Sequence, residues 1–353
     1  MQIDDIQDIQ SYDKSNMLSQ IEYFPQQITD TIQIINQTAL LKIYNIHNII
    51  ITGMGGSAIS GDILKEYLKH KYAIPIYVNR SYDLPKWANK KTLVIVQSYS
   101  GYTEETLNAL KYAFEKKCTI IGISSGGKLK DFCNKRNIPY IKVPQGYQPR
   151  SALGFLFFSG LLALQKTGLL PTVIDHEIEE SISITKNLID QLKPTIPAKE
   201  NQAKQIAEQI NNTIPVIYGW DAYAQIAKRW ATQFNENSKV ISKYGFIPES
   251  THNDIVGWAE HSEYSKNFSG FIFRDKKMES LQIKTTFDFV YKLFQESLAH
   301  VIEINVVGKT TLAKLMYLLV LGDYISFYYG ILRNQDPTQI SIITQFKDDL
   351  GKI

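Results

Sequence analysis

Cysteine is close to absent. The 353-residue chain has two, Cys118 and Cys133, at no metal-binding spacing. That argues against a disulfide-stapled scaffold and against a cysteine-based metal site, and the scattered thiols fit a reducing, cytoplasmic setting. Concentrated charge is lacking as well: Lys and Arg total 38 against 35 Asp and Glu, a net charge of +3. No basic run forms the stripe that nucleic-acid binding requires, so no nucleic-acid partner is expected. The opening segment MQIDDIQDIQSYDK is acidic and polar, unlike a secretory signal. The longest apolar stretch is Leu315–Leu332, and Gly322, Asp323 and Ser326 interrupt it. It reads as a buried core helix, so no membrane partner is expected.

What is present suits a sizeable core. Apolar residues make up 44% and charged residues 21%, the balance of a globular protein, and the length suggests about two domains of ~100–200 residues. Residues 1–45 carry helical periodicity at Met17, Ile21, Phe24 and Ile28, then Ile32, Ile35 and Ala39. Short β-branched runs follow at Asn48–Thr52, Ile74–Asn79, Thr92–Gln97, Thr119–Ser124 and Tyr140–Val143, with helical patterns between most of them. Residues 155–192 read as helical connectors, and Pro194 and Pro197 mark a boundary. A second alternation has strands at Ile214–Tyr218, Gly270–Phe273 and His300–Val306 and helices at Ala222–Glu236 and Thr311–Tyr328. The expected class is α/β, with two tandem doubly wound domains whose parallel sheets are flanked by helices. Residues 1–47 are expected to be a helical extension on the first domain, 48–192 the first domain and 193–353 the second. No sequence repeat relates the two halves.

Two loops carry chemistry. Gly53-Met54-Gly55-Gly56-Ser57-Ala58-Ile59-Ser60-Gly61 follows a strand and opens a helix. Its glycines let backbone N–H groups approach an anion at the helix N-terminus. Gly53-x-Gly55-x-x-Ala58 also fits a dinucleotide fingerprint, and Arg80, after the next strand, suits a 2′-phosphate, so an NADP-dependent oxidoreductase is one alternative. The second loop favours another ligand. Ser98-Tyr99-Ser100-Gly101-Tyr102-Thr103-Glu104-Glu105-Thr106 puts three hydroxyls, Ser98, Ser100 and Thr103, at a strand end before a helix. Hydroxyl and N–H donors together make a compact phosphate site, which a dinucleotide fold does not require. The plain alternative is that these are turn and N-cap residues.

The pairing of GMGGSAISG with SYSGYTEET resembles the sugar isomerase (SIS) domain. More narrowly, the chain resembles the bifunctional phosphoglucose/phosphomannose isomerase family, which has two such domains, from about Asn48 to Lys347. Four further segments carry the likeness: Pro149-Arg150-Ser151-Ala152-Leu153-Gly154, Phe234-Asn235-Glu236-Asn237-Ser238-Lys239, His252-Asn253-Asp254, and Ile342 with Phe346-Lys347. The resemblance implies a phosphorylated sugar as substrate and aldose–ketose isomerisation through an ene-diol, without a metal or redox cofactor. It also implies a homodimer, with His252 contributed across the interface.

It assigns Glu236 as the base that moves the proton between C1 and C2, and His252 and Lys347 as ring-opening groups. Arg150 would stabilise the ene-diolate. Gly55, Gly56, Ser57, Ser98, Ser100 and Thr103 would hold the phosphate. The family usually has Asn where this chain has Tyr102. His47, His70, His176, His261 and His300 sit in no comparable motif and read as structural. A sensor that binds sugar phosphate without turnover would keep the loops and dispense with Glu236 and His252. Such sensors often carry a DNA-binding helix, and residues 1–45 offer no basic recognition helix. A glutamine-dependent amidotransferase would need an N-terminal cysteine nucleophile, which the chain lacks.

Overall fold

The computed structural model describes residues 2–170, 175–260 and 263–350, without the side chains of Gln2, Lys347, Asp348 and Leu350. The chain divides into two compact units. One comprises Glu22–Lys186 with Gly308–Lys314, and the other Met1–Ile21, Asn187–Val307 and Leu315–Ile353. The N-terminal segment is therefore not a single extension on the first domain. Glu22 onward belongs with the first sheet, whereas Met1–Ile21 belongs with the second. The physical reason is Lys204, whose fully buried ammonium pairs with Asp4 at 2.9 Å and also reaches the carbonyls of Pro194 and Ile196. A lysine buried in the second unit needs a carboxylate, and Asp4 supplies it.

In the first unit, strands β1 (Asn48–Thr52), β2 (Ile76–Asn79), β3 (Thr92–Gln97), β4 (Thr119–Ser124) and β5 (Tyr140–Lys142) form one sheet. Its order is β2-β1-β3-β4-β5 and every pairing is parallel. Strand β3, TLVIVQ, is buried at all six positions, as expected of a central strand covered on both faces. In this order the chain reverses direction across the sheet between β1 and β3, and ligands bind outside the carboxyl ends of strands at such a switch point. The two glycine and hydroxyl loops leave from those two strand ends.

The second unit holds β6 (Ile214–Trp220), β7 (Lys243–Ile247), β8 (Phe268–Arg274) and β9 (His300–Asn305), in the order β7-β6-β8-β9, again all parallel. Numbered from its own first strand this is 2-1-3-4, the order of the first sheet less one strand. The two halves thus repeat in topology where they do not repeat in sequence. Strand β7, KYGFI, escapes a sequence reading because Lys243, Tyr244 and Phe246 are exposed and no apolar run marks it.

The long apolar run forms the helix Thr311–Leu332, whose most apolar stretch is 94% buried in the protein. Its three interruptions all serve one neighbour, the helix Tyr223–Asn237. A side chain at Gly322 would stand 2.1 Å from Trp230 Nε1, so the glycine admits the indole. That indole donates to the Leu318 carbonyl at 2.8 Å and lies edge-on to Phe273, centroids 4.7 Å apart. Asp323 accepts from Arg229 at 3.1 Å and from Gln233 at 2.8 Å. Ser326 takes Asn237 Nδ2 on its hydroxyl at 3.0 Å and Ser238 Oγ on its carbonyl at 2.6 Å. The end of Tyr223–Asn237 that carries Glu236 is thereby fixed.

Candidate active site

The two loops of the first unit are stitched to one another. Ser57 is buried, and its Oγ accepts from Tyr99 N at 3.3 Å. Ser60 Oγ donates to Gln97 Oε1 at 2.7 Å. No side chain caps the helix Gly55–Leu68 or the helix Glu104–Glu115, so the N-cap reading of the second loop fails for Thr103. Its hydroxyl instead accepts from Ser98 Oγ at 2.9 Å. Ser98 is a buried anchor: its Oγ also takes Gly101 N at 3.1 Å and Thr103 N at 3.4 Å. Ser100 is exposed and Thr103 half-buried, so these two hydroxyls are accessible to solvent while Ser98 shapes the turn. Gly101 has φ +74°, and a Cβ there would stand 1.9 Å from the Gly126 carbonyl oxygen. The loop is thus seated on the turn that follows β4. Tyr102 is 62% exposed and its ring edge lies against Gly127.

Arg150 is brought beside the first loop. A Cβ at Gly56 would meet the Pro149 carbonyl oxygen at 2.7 Å and Arg150 Cα at 3.4 Å. Arg150 itself is 2% exposed. The turn that presents it rests on Gln27, a residue that sequence reasoning misses. Gln27 is fully buried, donates from Nε2 to Ser151 O at 2.7 Å and accepts on Oε1 from Phe155 N at 3.3 Å. The helix Phe24–Gln37 therefore buttresses the Arg150 turn. Its signal in the sequence is a glutamine on the otherwise apolar face of Phe24 and Ile28.

The second unit carries the remaining candidates. Glu236 is half-buried in the last turn of Tyr223–Asn237. Lys239, with φ +53°, folds back to donate to the Glu236 carbonyl at 2.8 Å and also reaches the Asp336 carbonyl. His252 ends the short turn Glu249–His252 and is exposed. Lys347 falls in the helix Ser341–Leu350, but its side chain lies outside the described residues, as does His261.

Arg80, which kept a nicotinamide cofactor in view, and its neighbour Asn79 are engaged elsewhere. Asn79 Nδ2 binds Ser81 O and Asp83 O within its own turn, and Arg80 is ion-paired with Asp62.

The domain type can be named from matches along the chain. Residues 42–135 match the SIS domain, and residues 199–350 match the bacterial phospho-glucose isomerase C-terminal SIS domain. The bifunctional phosphoglucose/phosphomannose isomerase of Caldicellulosiruptor bescii is 37% identical over 346 residues, covering 96% of this chain and 99% of that protein. The enzyme of the same name from Thermoplasma volcanium is 35% identical, covering 88% and 93%. The chain belongs to the bifunctional phosphoglucose/phosphomannose isomerase family. In fold it is also similar to the C-terminal domain of glucosamine-fructose-6-phosphate aminotransferase from Francisella tularensis. That match has a TM-score of 0.68 and 16% identity, and covers 92% of this chain and 98% of the other.

Membership in the phosphoglucose/phosphomannose isomerase family gives the loop geometry its meaning. The hydroxyl loop that a dinucleotide fold would not need stands at the switch point of the first SIS sheet, and the helix that ends in Glu236 is the first helix after β6 of the second.

Proposed function

We propose that this protein interconverts glucose 6-phosphate, and also mannose 6-phosphate, with fructose 6-phosphate, as a cytoplasmic homodimer. The observation that carries the proposal is the pair of loops at the β1 and β3 ends, stitched through Ser57 Oγ and Tyr99 N in a chain that shares 37% identity with one such isomerase along almost its whole length.

In this reading Ser57, Ser100 and Thr103, with the N–H groups at Gly55 and Gly56, hold the phosphate, and Ser98 holds the loop. His252 and Lys347 open the sugar ring by moving a proton between the ring oxygen and the C1 hydroxyl. Glu236 then takes the proton from C2 of the aldose, giving an ene-diolate; the C2 hydroxyl proton passes to the C1 oxygen, and Glu236 returns its own proton to C1 to give the ketose. Running the same steps backwards from fructose 6-phosphate, with return to either face of C2, yields glucose or mannose 6-phosphate. Arg150 offsets the negative charge of the ene-diolate, where a preorganised guanidinium acts most strongly.

The test is a coupled assay of fructose 6-phosphate formation from each aldose, in the presence of a chelator, with the natural chain beside Glu236→Gln. Turnover of both sugars that falls ~10²-fold or more in the variant is the expected result for a positioned proton-transfer base. Tight sugar-phosphate binding with no turnover in the natural chain would point instead to a non-catalytic sensor.

A further inference from the structure

One side chain holds the turn that presents His252 at both of its ends. Tyr218 lies in β6 directly opposite Gly245 of the edge strand β7. Its ring covers that glycine so closely that a Cβ there would stand 2.2 Å from Tyr218 Cε1, and 2.8 Å from Ser250 Oγ. From Gly245 the chain runs through Ile247 and Pro248 into the turn Glu249–His252. It leaves the turn at Asp254, and there Tyr218 acts again. The phenol donates to Asp254 Oδ2 at 2.7 Å and accepts from Trp258 Nε1 at 2.8 Å. Tyr218 is 2% exposed, and burial together with the Asp254 carboxylate pushes its hydroxyl well above the ordinary tyrosine range. The phenol stays protonated and remains the donor. Strand β7 and the helix Asp254–Ala259 are thus both tied to β6 by a single rigid ring, with His252 on the exposed turn between them.

We propose that Tyr218 is a positioning residue for His252: its ring on Gly245 and its hydroxyl on Asp254 set the place of the turn that carries the imidazole. The inference rests on the role given to His252 under the proposed function. The turn has local ties of its own, Thr251 Oγ1 to the Pro248 carbonyl at 2.6 Å and Asn253 Nδ2 to Glu249 Oε1 at 3.0 Å, but only the doubly anchored ring fixes both of its ends to β6, within the fraction of an ångström that proton transfer needs.

The deciding experiment is a double-mutant cycle on glucose 6-phosphate isomerisation with Tyr218→Phe, His252→Ala and the pair, in the full-length protein, with melting temperatures and circular dichroism beside the kinetics. Tyr218→Phe keeps the ring and loses the anchor. It is expected to lower kcat about tenfold with KM changed less than about twofold, because the phosphate loops belong to the other unit. In the His252→Ala background the same change is expected to cost less than about twofold, since the group it positions is gone. Gly245→Ala, which pushes on the ring from the other side, should follow Tyr218→Phe in the natural chain and be silent without His252. If the effect of Tyr218→Phe is undiminished in the His252→Ala background, Tyr218 acts on the fold at large and the proposal falls, while the role of His252 stands. If His252→Ala alone leaves turnover intact, the role of His252 falls and takes the proposal with it.

Discussion

Gly56 and the Pro149 carbonyl oxygen approach so closely that a methyl group at Gly56 would stand 2.7 Å from that oxygen. The atom in the way is backbone, which cannot swing aside as a side chain can. Gly56→Ala must therefore push the Arg150 turn off the first loop. We expect kcat/KM for glucose 6-phosphate to fall at least about tenfold while the protein stays folded, since a shift of about 1 Å at a reacting group can cost ~10²-fold. Gly55 is the internal control. It has φ +50°, but a Cβ there would meet nothing within 4 Å, so Gly55→Ala should cost about 1 kcal/mol of stability through backbone strain and leave the Arg150 turn in place. Equal kinetics for the two variants would refute the contact argument.

Ser98 and Ser100 look alike in the sequence and differ in the structure, so their alanine variants should part. Ser98 is 1% exposed and satisfies two backbone N–H groups. Its removal leaves Gly101 N with the Ser98 carbonyl alone, at 2.9 Å, and takes the side-chain acceptor from the half-buried Thr103 N, worth about 1 kcal/mol, and loosens the phosphate turn. Ser98→Ala should lower both the melting temperature and the affinity. Ser100 is exposed and caps only the adjacent Tyr102 N at 3.2 Å, so Ser100→Ala should change stability by less than about 0.5 kcal/mol and still raise KM several-fold. Thermal melts read against KM decide the matter; a stability loss at Ser100 as large as at Ser98 would show that the two hydroxyls do not divide the work.

How much of this is legible in the sequence follows from burial. Strands β1, β3, β4, β6 and β8 announce themselves because central parallel strands, covered on both faces, carry apolar runs, β-branched in β1, β3 and β4 and aromatic in β8. Strand β7 does not, because with Lys243, Tyr244 and Phe246 exposed it carries no such run. The two loops are readable because glycine and hydroxyl side chains at strand ends are a local pattern. Gln27, Tyr218 and Lys204 are not, since each acts on a partner far away in sequence: Gln27 on Ser151, Tyr218 on Asp254, Lys204 on Asp4. Gly322, Asp323 and Ser326 are visible only as flaws in an apolar run, and their purpose emerges only once the helix Tyr223–Asn237 is seen to face them.

The assignment of His252 to the partner subunit's site makes a prediction that needs no structure of the dimer. His252→Ala and Glu236→Gln should each be close to inactive alone. Mixed, unfolded together and refolded, they would form heterodimers in which one site has both natural residues, provided His252 acts across the interface. Random pairing of a two-fold dimer makes heterodimers about half of the total, with one good site in two, so roughly a quarter of natural activity should return. If His252 serves its own subunit's Glu236, no heterodimer contains an intact site and the mixture stays inactive. Activity of the mixture against that of each variant alone is the measurement.

The Asp4–Lys204 pair should appear as acid sensitivity of the second unit. Burial by itself would raise the Asp4 carboxyl, but the hydrogen bonds from Lys204 and the Ala198 N–H, with the Lys204 charge, outweigh it and hold the group below its ordinary value of 3.8. A carboxylate depressed in the folded state adds stability that is present above its unfolded pKa and is lost as pH falls through the folded one. The contribution is therefore full at pH 7, begins to fall near about pH 4 and is gone only below the folded value, which lies under 3.8. Asp4→Asn removes the charge that Lys204 needs while Pro194 O and Ile196 O remain. We expect a loss of roughly 1.5–3 kcal/mol at pH 7, the range for hydrogen bonds to charged groups, and toward its lower end because the Asp4 side chain keeps 33% of its surface. Melting curves from pH 7 down to about pH 2 should show the natural chain and the variant converging, from about pH 4 downward, as the carboxylate is protonated. Curves that stay parallel over that range would mean that Asp4 holds residues 2–21 to the second unit by packing and neutral hydrogen bonds alone.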